Sequence, residues 1–276
     1  MKKILITGCS GYIGSHLCDM LSGEYEVHGL DIVEPQVEIE KFYKLDINKQ
    51  FSIDGVDFDA VIHLAALVNV GESQERPISY YITNLNGTMN VLNKVKTKNF
   101  IFASTGAAQD CTSAYGVSKR AAEDVVRSYT KMANSEYTIF RFYNVIGATV
   151  VGPTNIDGLF YNLIKARDTG EFTIYGKDYE NTSDGTCIRD YVHVEEICHA
   201  IKMAIESPAN KTECLGHGVG YSVREMANLF QKVNDCEFDI KYGPRRAGDT
   251  PVSVLEDVSP YMKNLYTVED LLRINA

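Results

Sequence analysis

Tyr115 and Lys119 stand in the spacing Y-x-x-x-K within SAYGVSKRAAEDVV, a strongly helical pattern. Residues four apart share a helix face. An ammonium on that face favours the phenolate of its neighbour. Free tyrosine titrates near 10, so a phenol acting as a base near neutrality needs about three units of lowering, on the order of 4 kcal/mol. A positive charge in a water-poor cleft can supply that. The spacing recurs at Tyr161 and Lys165 in DGLFYNLIKA, where the tyrosine suits the apolar face of an amphipathic helix. The first pair follows an apolar run ending in FAST, so Thr105 or Ser104 can hydrogen-bond the hydroxyl that Tyr115 would deprotonate.

A second constellation opens the chain. An apolar strand over Lys3 to Thr7 runs into TGCSGYIGSH, and a helical run continues to Leu21. Gly8, Gly11 and Gly14 have the spacing of a dinucleotide-binding turn: one for the sharp bend, one for close approach to a pyrophosphate, one for helix–strand packing. Helix amides and the positive dipole end would hold the anion. Asp31 ends a second strand, Glu26 to Ile32. A carboxylate there accepts from ribose hydroxyls and repels a 2′-phosphate, which favours NAD over NADP; a solvated turn aspartate is the alternative. Asp46, in KLDIN, can similarly accept from the adenine amino group. An oxidised nicotinamide beside Tyr115 would add to the pull of Lys119 on the phenol.

These residues need a scaffold. Further strands read at Lys41 to Ile47, Ala60 to Leu64, Phe100 to Ser104 and Thr138 to Tyr143, with helices at Tyr12 to Leu21, Ser79 to Lys96 and Ala114 to Lys131. Such alternation defines an α/β doubly wound parallel sheet, the Rossmann fold, with ligands beyond the carboxyl ends of the strands. TGCSG, HLAAL and FASTG would meet there. After Gly147 the alternation fades into a smaller mixed α/β substrate-binding domain. The stretch Cys187 to Glu206 reads as a return to the first domain, with DYVHV as a strand and Glu195 to Ile205 as its helix.

Composition narrows the classes. The chain has 276 residues, 45% hydrophobic and 23% charged, which suits one or two ordered domains. A net charge of −10 disfavours nucleic acid as a partner. No apolar run reaches the roughly 18 residues of a membrane span, and no signal peptide precedes the first strand. The seven cysteines lack a C-x-x-C pair, so they read as reduced thiols in a cytoplasmic protein. The six histidines show no metal-ligand spacing; His63 and His193 read as structural. No G-K-[ST] follows the glycines, which removes a P-loop.

Taken together, TGCSGYIGSH, HLAALVNVGES, NLNGTMN, FIFAST, YGVSK, RFYNVIGA, SDGTCIRDYVHVEEI, LGHGVGYSV and GPRRAGD resemble the extended short-chain dehydrogenase/reductases, and among them the UDP-glucose (UDP-galactose) 4-epimerase family. The resemblance covers nearly the whole chain. It implies Tyr115 as base, Lys119 on the nicotinamide ribose and Thr105 as hydroxyl partner. It places NAD on Gly8, Gly11, Tyr12, Ile13, Gly14, Asp31, Ile32, Asp46, Ile47, Leu64, Ala65, Ala66, Asn84 and Tyr143. It places a UDP-sugar on Asn144, Asn162, Leu163, Arg189, Tyr191, Arg246, Asp249 and Ser253. Forked guanidinium donors at Arg189 and Arg246 suit a diphosphate. The domains implied are 1–147 with about 187–207 for NAD, and 148–186 with about 208–276 for the UDP-sugar. Carbon 4 of the hexose would be inverted through a 4-keto intermediate, with NAD regenerated each cycle. The helices at Ser79 to Lys96 and Ala114 to Lys131 resemble a dimer contact, with Ala121, Ala122, Val125 and Val126 on its face, so a homodimer is implied.

The chain departs from that pattern in three places. The loop from Thr105 to Tyr115 is short, which puts Thr105 in question. Val68 stands where relatives often carry lysine, so one cationic cofactor contact is missing. Ser253 stands where relatives restricted to glucose and galactose carry tyrosine, which implies that UDP-GlcNAc and UDP-GalNAc fit. A nucleotide-sugar dehydratase or decarboxylase is the near rival, but Thr105-Gly106-Ala107 lacks the required acid. A non-catalytic NAD or UDP-sugar binder is the other reading.

Overall fold

The computed structural model describes residues 1–53, 55–147, 150, 152, 158–246 and 249–274. Ala148 of RFYNVIGA and Ala247 and Gly248 of GPRRAGD lie outside the described residues. The chain forms two compact units, Met1–Phe142 with Cys198–Glu213 and Tyr143–Ile197 with Cys214–Ala276.

The first unit runs β1 (Lys3–Thr7), α1 (Tyr12–Leu21), β2 (Glu26–Asp31), β3 (Lys41–Lys44), β4 (Asp57–Phe58) and β5 (Ala60–His63). It continues through α2 (Val70–Glu75), α3 (Pro77–Tyr80), a π-helical turn (Tyr81–Asn86), α4 (Gly87–Lys94), β6 (Lys96–Thr97) and β7 (Asn99–Thr105). It ends in α5 (Ala107–Asp110), α6 (Ala114–Ala133) and β8 (Glu136–Phe142). β9 (Asn144–Ile146), α7 (Leu159–Thr169), β10 (Glu171–Tyr175) and β11 (Ile188–His193) follow. α8 (Val194–Glu206) and β12 (Thr212–Leu215) carry the chain back, and β13 (Gly220–Ser222), α9 (Val223–Val233), β14 (Asp239–Gly243), β15 (Val252–Ser253) and α10 (Val268–Leu272) close it.

The large sheet has seven strands in the order β12-β8-β7-β5-β1-β2-β3. β1 pairs in parallel with β2 and β5, β2 with β3, β5 with β7 and β7 with β8. This is the doubly wound α/β arrangement that the alternation predicts, with flanking helices. Parallel strands covered on both faces read as continuous apolar runs; ILI of β1 and AVI of β5 are fully buried. The core gathers Leu5, Val61, Phe100, Phe102 and Ile139 around the helix residues Val91, Ala122 and Val126. Burying each large aliphatic contributes about 1.5–3 kcal/mol.

Several boundaries differ from the sequence reading, three of them in a way that has a physical cause. The strand expected over Lys41 to Ile47 stops at Lys44, because Asp46 accepts from the Asn48 amide and turns the chain. The helix expected from Ser79 to Lys96 starts at Pro77, ends at Lys94 and widens into the π turn at its centre. The return to the first unit begins at Cys198, inside α8. DYVHV stays in the second unit because β11 pairs with β9, β13 and β15.

The second unit has its own core of Phe160, Leu163, Phe172, Tyr191, Met226, Phe230 and Leu272. α9 enters through a capping box in which Ser222 and Glu225 satisfy each other's backbone donors.

Candidate functional site

β1, β5 and β7 end side by side at the carboxyl edge of the sheet, with Thr7 in register with His63 and His63 with Phe102. The glycine turn leaves from β1. Gly8 has φ +75°, and a Cβ there would lie 2.7 Å from the Ala65 nitrogen. A Cβ at Gly14 would lie 2.0 Å from the Gly8 carbonyl oxygen, so helix and strand backbones touch. Gly11, the N-cap of α1, has only the Gly8 oxygen nearby, at 3.3 Å. The first turn of α1 has no acidic residue and no side-chain cap. That leaves helix amides and an open backbone facing the place of an anion. Asp31 accepts from the amides of Ser10 (3.1 Å), Ile32 (2.7 Å) and Val33 (3.2 Å), which fixes its carboxylate at the end of β2. The donor set and the open cradle fit a dinucleotide pyrophosphate with its ribose at Asp31.

Other residues predicted to line the cofactor divide into two groups. Tyr12, Ile13, Leu64, Ala65 and Ala66 are half-buried around this turn, and Ile32 is exposed. Ile47 instead lies in the core. Asn84 is buried, and its amide bonds both Leu67 backbone groups and Ser118 Oγ, so it staples the segment after β5. Val68 is exposed. Tyr143 belongs to the second unit, half-buried.

Tyr115 and Lys119 lie in the first two turns of α6, which Ser113 caps by accepting from the Gly116 amide. Tyr115 is 8% exposed and Lys119 3%. Thr105, at the end of β7, lies close enough to the Tyr115 phenol to favour its ionised form. The short loop secures Thr105, because the Ala107 amide donates to Thr105 Oγ1 at 3.3 Å. Burial pushes the phenol up to about 12 against the pull of Thr105. Burial also drives Lys119 down to about 7, with Glu123 opposing. Lys119 Nζ stands 4.3 Å from the centroid of the Phe102 ring. The phenol is thus not lowered by its surroundings in the protein alone; charge brought by a ligand has to complete the shift.

Ser104 is engaged elsewhere: its hydroxyl donates to Glu123 at 2.6 Å. Of the two hydroxyls expected to meet the substrate, Ser104 is thus committed to Glu123. Tyr161 and Lys165 are in the second unit on α7, with Lys165 exposed. His63 shares hydrogen bonds with Thr7 (2.6 Å) and Thr88 (2.9 Å), and burial holds it down at about 3, neutral. Among the described residues no group of His, Cys, Asp and Glu could hold a metal ion.

The second unit carries the other predicted set. Arg189 donates to Asp249 at 3.0 Å and to the Ile188 carbonyl at 2.9 Å. β15 brings Ser253 into register with Arg189. Tyr191 is 2% exposed and its hydroxyl has no hydrogen-bond partner. An unmet buried hydroxyl costs about 1–3 kcal/mol, so a ligand group that meets it is favoured. Arg246 is exposed and lies 4.2 Å over the Tyr175 ring. Asn144 donates to the Asp190 carbonyl and Asn162 to that of Gly158. Leu163 is fully buried in the core, so its side chain serves packing.

Sequence reasoning missed three features. Glu123 binds Arg127 and Arg141, and only its place four residues after Lys119 was legible. Tyr175 offers an exposed aromatic face beside a guanidinium. Buried Asp190 accepts from the amides of His217, Gly218 and Leu255, joining three segments. Beside it, His217 bonds Glu196 at 2.8 Å, which raises the histidine above its ordinary value against the cost of burial. A raised folded value means that this stabilisation is complete below the unfolded histidine value, near 6.5, and is lost as pH rises through the folded value. Thermal unfolding from about pH 6 to about pH 9 will show a decline that His217→Gln flattens; equal slopes in the two proteins would contradict it.

An α/β sheet with a glycine turn at its first strand and a buried Y-x-x-x-K beside β7 defines a dinucleotide-dependent enzyme of the Rossmann class. Residues 4–215 match the model of the NAD dependent epimerase/dehydratase family, and the chain belongs to that family. It is similar to the UDP-glucose 4-epimerase of Bacillus subtilis (strain 168), at 32% identity over 89% of this chain and 86% of the relative. Among solved structures it resembles UDP-glucose 4-epimerase from Bifidobacterium longum in complex with NAD+ and UDP, with TM-score 0.87, 26% identity and coverage of 98% and 96% of the two chains. It also resembles the UDP-Glc/GlcNAc 4-epimerase of Campylobacter jejuni, with TM-score 0.76, 27% identity and coverage of 99% and 97%.

Proposed function

We propose that this chain is an NAD-dependent epimerase that inverts carbon 4 of a UDP-hexose through a 4-keto sugar. The observation that carries the reading is the buried Tyr115 one helical turn from buried Lys119 on α6, with Thr105 beside the phenol at the strand edge where the glycine turn lies. The sequence relatives and structural neighbours support it. Bound NAD supplies the hydride acceptor and returns the hydride. Tyr115 takes the proton of the sugar 4′-hydroxyl, and Thr105 donates to the phenolate oxygen. Lys119, as an ammonium, stabilises that phenolate. Arg189, Arg246 and Asp249 grip the UDP portion, and the orphaned Tyr191 hydroxyl meets a polar ligand group. The exposed Tyr175 ring suits stacking with a planar base. A hexose held through its diphosphate turns its other face, and Tyr115 gives the proton back. Purified protein with NAD should interconvert UDP-glucose and UDP-galactose, with products separated at carbon 4. A 4-keto-6-deoxy product would point to a dehydratase, and tight NAD and UDP binding without turnover would point to a binder.

The hexose pocket extends to N-acetylhexosamines. Ser253 is small and lies in register with Arg189. Ser253→Tyr is expected to reduce UDP-GlcNAc turnover at least about tenfold while sparing UDP-glucose. Equal losses on both sugars would refute a size filter.

The protein acts as a cytoplasmic homodimer. Ile78, Ile82, Met89 and Val117 are exposed on the helical run from Pro77 to Lys94 and on α6, which Asn84 and Ser118 tie together. Exposed apolar residues on paired helices suit an interface, whereas Ala122 and Val126, expected on that face, lie in the core instead. The described residues contain seven free cysteines and no helix long and apolar enough to cross a membrane. The double change Ile82→Lys with Met89→Lys will convert the dimer to monomer in sedimentation; a wild-type monomer would end this assignment.

A further inference from the structure

The most heavily bonded buried charge of the first unit has no part in the chemistry above. Glu123 has no exposed surface. Its Oε1 accepts from Ser104 Oγ at 2.6 Å and Arg141 Nε at 2.8 Å. Its Oε2 accepts from Arg141 Nη2 at 2.7 Å and Arg127 Nη2 at 2.8 Å. Burial works against the ionised form, yet these donors hold the carboxyl below the usual range. Removing one partner of such a set leaves a buried charge unmet.

Its location matters as much as its bonds. Glu123 follows Lys119 by one turn and Tyr115 by two on the same face of α6. Ser104 immediately precedes Thr105 on β7, and Arg141 stands opposite Ser104 on β8. One carboxylate therefore ties the helix bearing Tyr115 and Lys119 to the strand bearing Thr105.

Lys119 has few other charged neighbours. From its own helix it faces Tyr115 and Glu123. From β7 it faces the uncharged Phe102 ring. From β5 it feels His63, which is neutral and bonded at both ring nitrogens. Arg127 and Arg141 are turned to Glu123.

We propose that Glu123 is a positioning residue of the epimerase reaction: through Ser104 and Arg141 it holds the end of β7, with Thr105, against the face of α6 that carries Tyr115 and Lys119, and it sets a negative charge one turn from the Lys119 ammonium. The proposal rests on the catalytic reading of Tyr115 and Lys119. Without the carboxylate, Lys119 gives up its proton at lower pH, and the phenolate loses its counter-charge there. In Glu123→Gln the alkaline limb of the kcat–pH profile should move down by about one unit. Glu123→Asp keeps the charge but shortens the reach, so it should lower kcat with the limb near its wild-type place. A second reading needs no turnover: the titration midpoint of Lys119 in cofactor-free protein, from the pH dependence of its acetylation by trace acetic anhydride. That midpoint should fall in parallel in Glu123→Gln and hold in Glu123→Asp.

If Glu123→Gln does not fold, Glu123→Gln with Arg141→Gln replaces the ion pair by an amide pair, and its limb and midpoint are read against Arg141→Gln alone, below which both should fall. A folded variant without the carboxylate, with the limb and the midpoint both unmoved, would overturn the proposal and leave Glu123 a brace. A failure of the epimerase reading shows separately, as a wild-type protein without turnover, and leaves the labelling midpoint readable.

Discussion

Replacing Tyr115 by phenylalanine is expected to lower kcat on UDP-glucose by about a thousandfold, the contribution of a well-placed general base. The ring still fills its pocket against Tyr80, whose centroid lies 6.3 Å away. Only a hydroxyl leaves a filled pocket, so the stability change should stay within about 1 kcal/mol. UDP affinity should be unchanged, because the groups assigned to it lie in the other unit. The phenol stands at about 12 in the protein alone. Bringing it to neutrality takes about five units, or about 7 kcal/mol. That exceeds the three units a free tyrosine needs, because burial has first been overcome. The loaded site therefore depends on an ammonium at Lys119 and on the positive nicotinamide together. Steady-state kinetics with calorimetric UDP binding tests this. Wild-type turnover in the phenylalanine protein would remove the phenol from the reaction.

Adding one methyl group to the glycine turn should have opposite outcomes three residues apart. At Gly14 the new carbon would sit 2.0 Å from the Gly8 oxygen and 2.8 Å from Cys9 Cα. Both are backbone-bound and cannot swing aside, so α1 has to lift from β1. A loss of about 3 kcal/mol is expected for Gly14→Ala, with NAD binding lost as well. At Gly11 the only nearby atom is 3.3 Å away. Gly11→Ala should fold with a stability change below about 1 kcal/mol. Its methyl group takes the space that the pyrophosphate needs, so NAD affinity should drop at least about tenfold. Thermal melts with NAD titrations separate the two. Equal melting temperatures for both variants would contradict the packing argument.

The sequence announced the parts of this molecule whose physics is local. The turn at Gly8 to Gly14 and the helix over Tyr12 to Leu21 follow from glycine spacing and apolar period, and the helix bounds agree with the sequence reading. The buried strands were legible as unbroken apolar runs. Features made by distant partners were not. Nothing in RFYN marks Arg141 as the partner of Glu123, because that pairing exists only once β8 lies beside β7. Ser104 and Thr105 both carry hydroxyls, and only the strand's alternation turns Ser104, not Thr105, to Glu123. DYVHV reads as a first-unit strand on pattern alone; its hydrogen bonds to β9, β13 and β15 decide otherwise.

The wide turn at Tyr81–Asn86 bears on how this segment tolerates change. A π turn holds one more residue than the helix on either side. It sends the Asn84 amide to Leu67 and Ser118, while Thr88, Val91 and Leu92 still reach the interior. The segment thus behaves as a measured spacer. Its outward side chains are free to vary among apolar types, whereas dropping one residue would roll everything downstream by roughly 100°. Length, as much as the amide of Asn84, is what inheritance must preserve between Pro77 and Lys94.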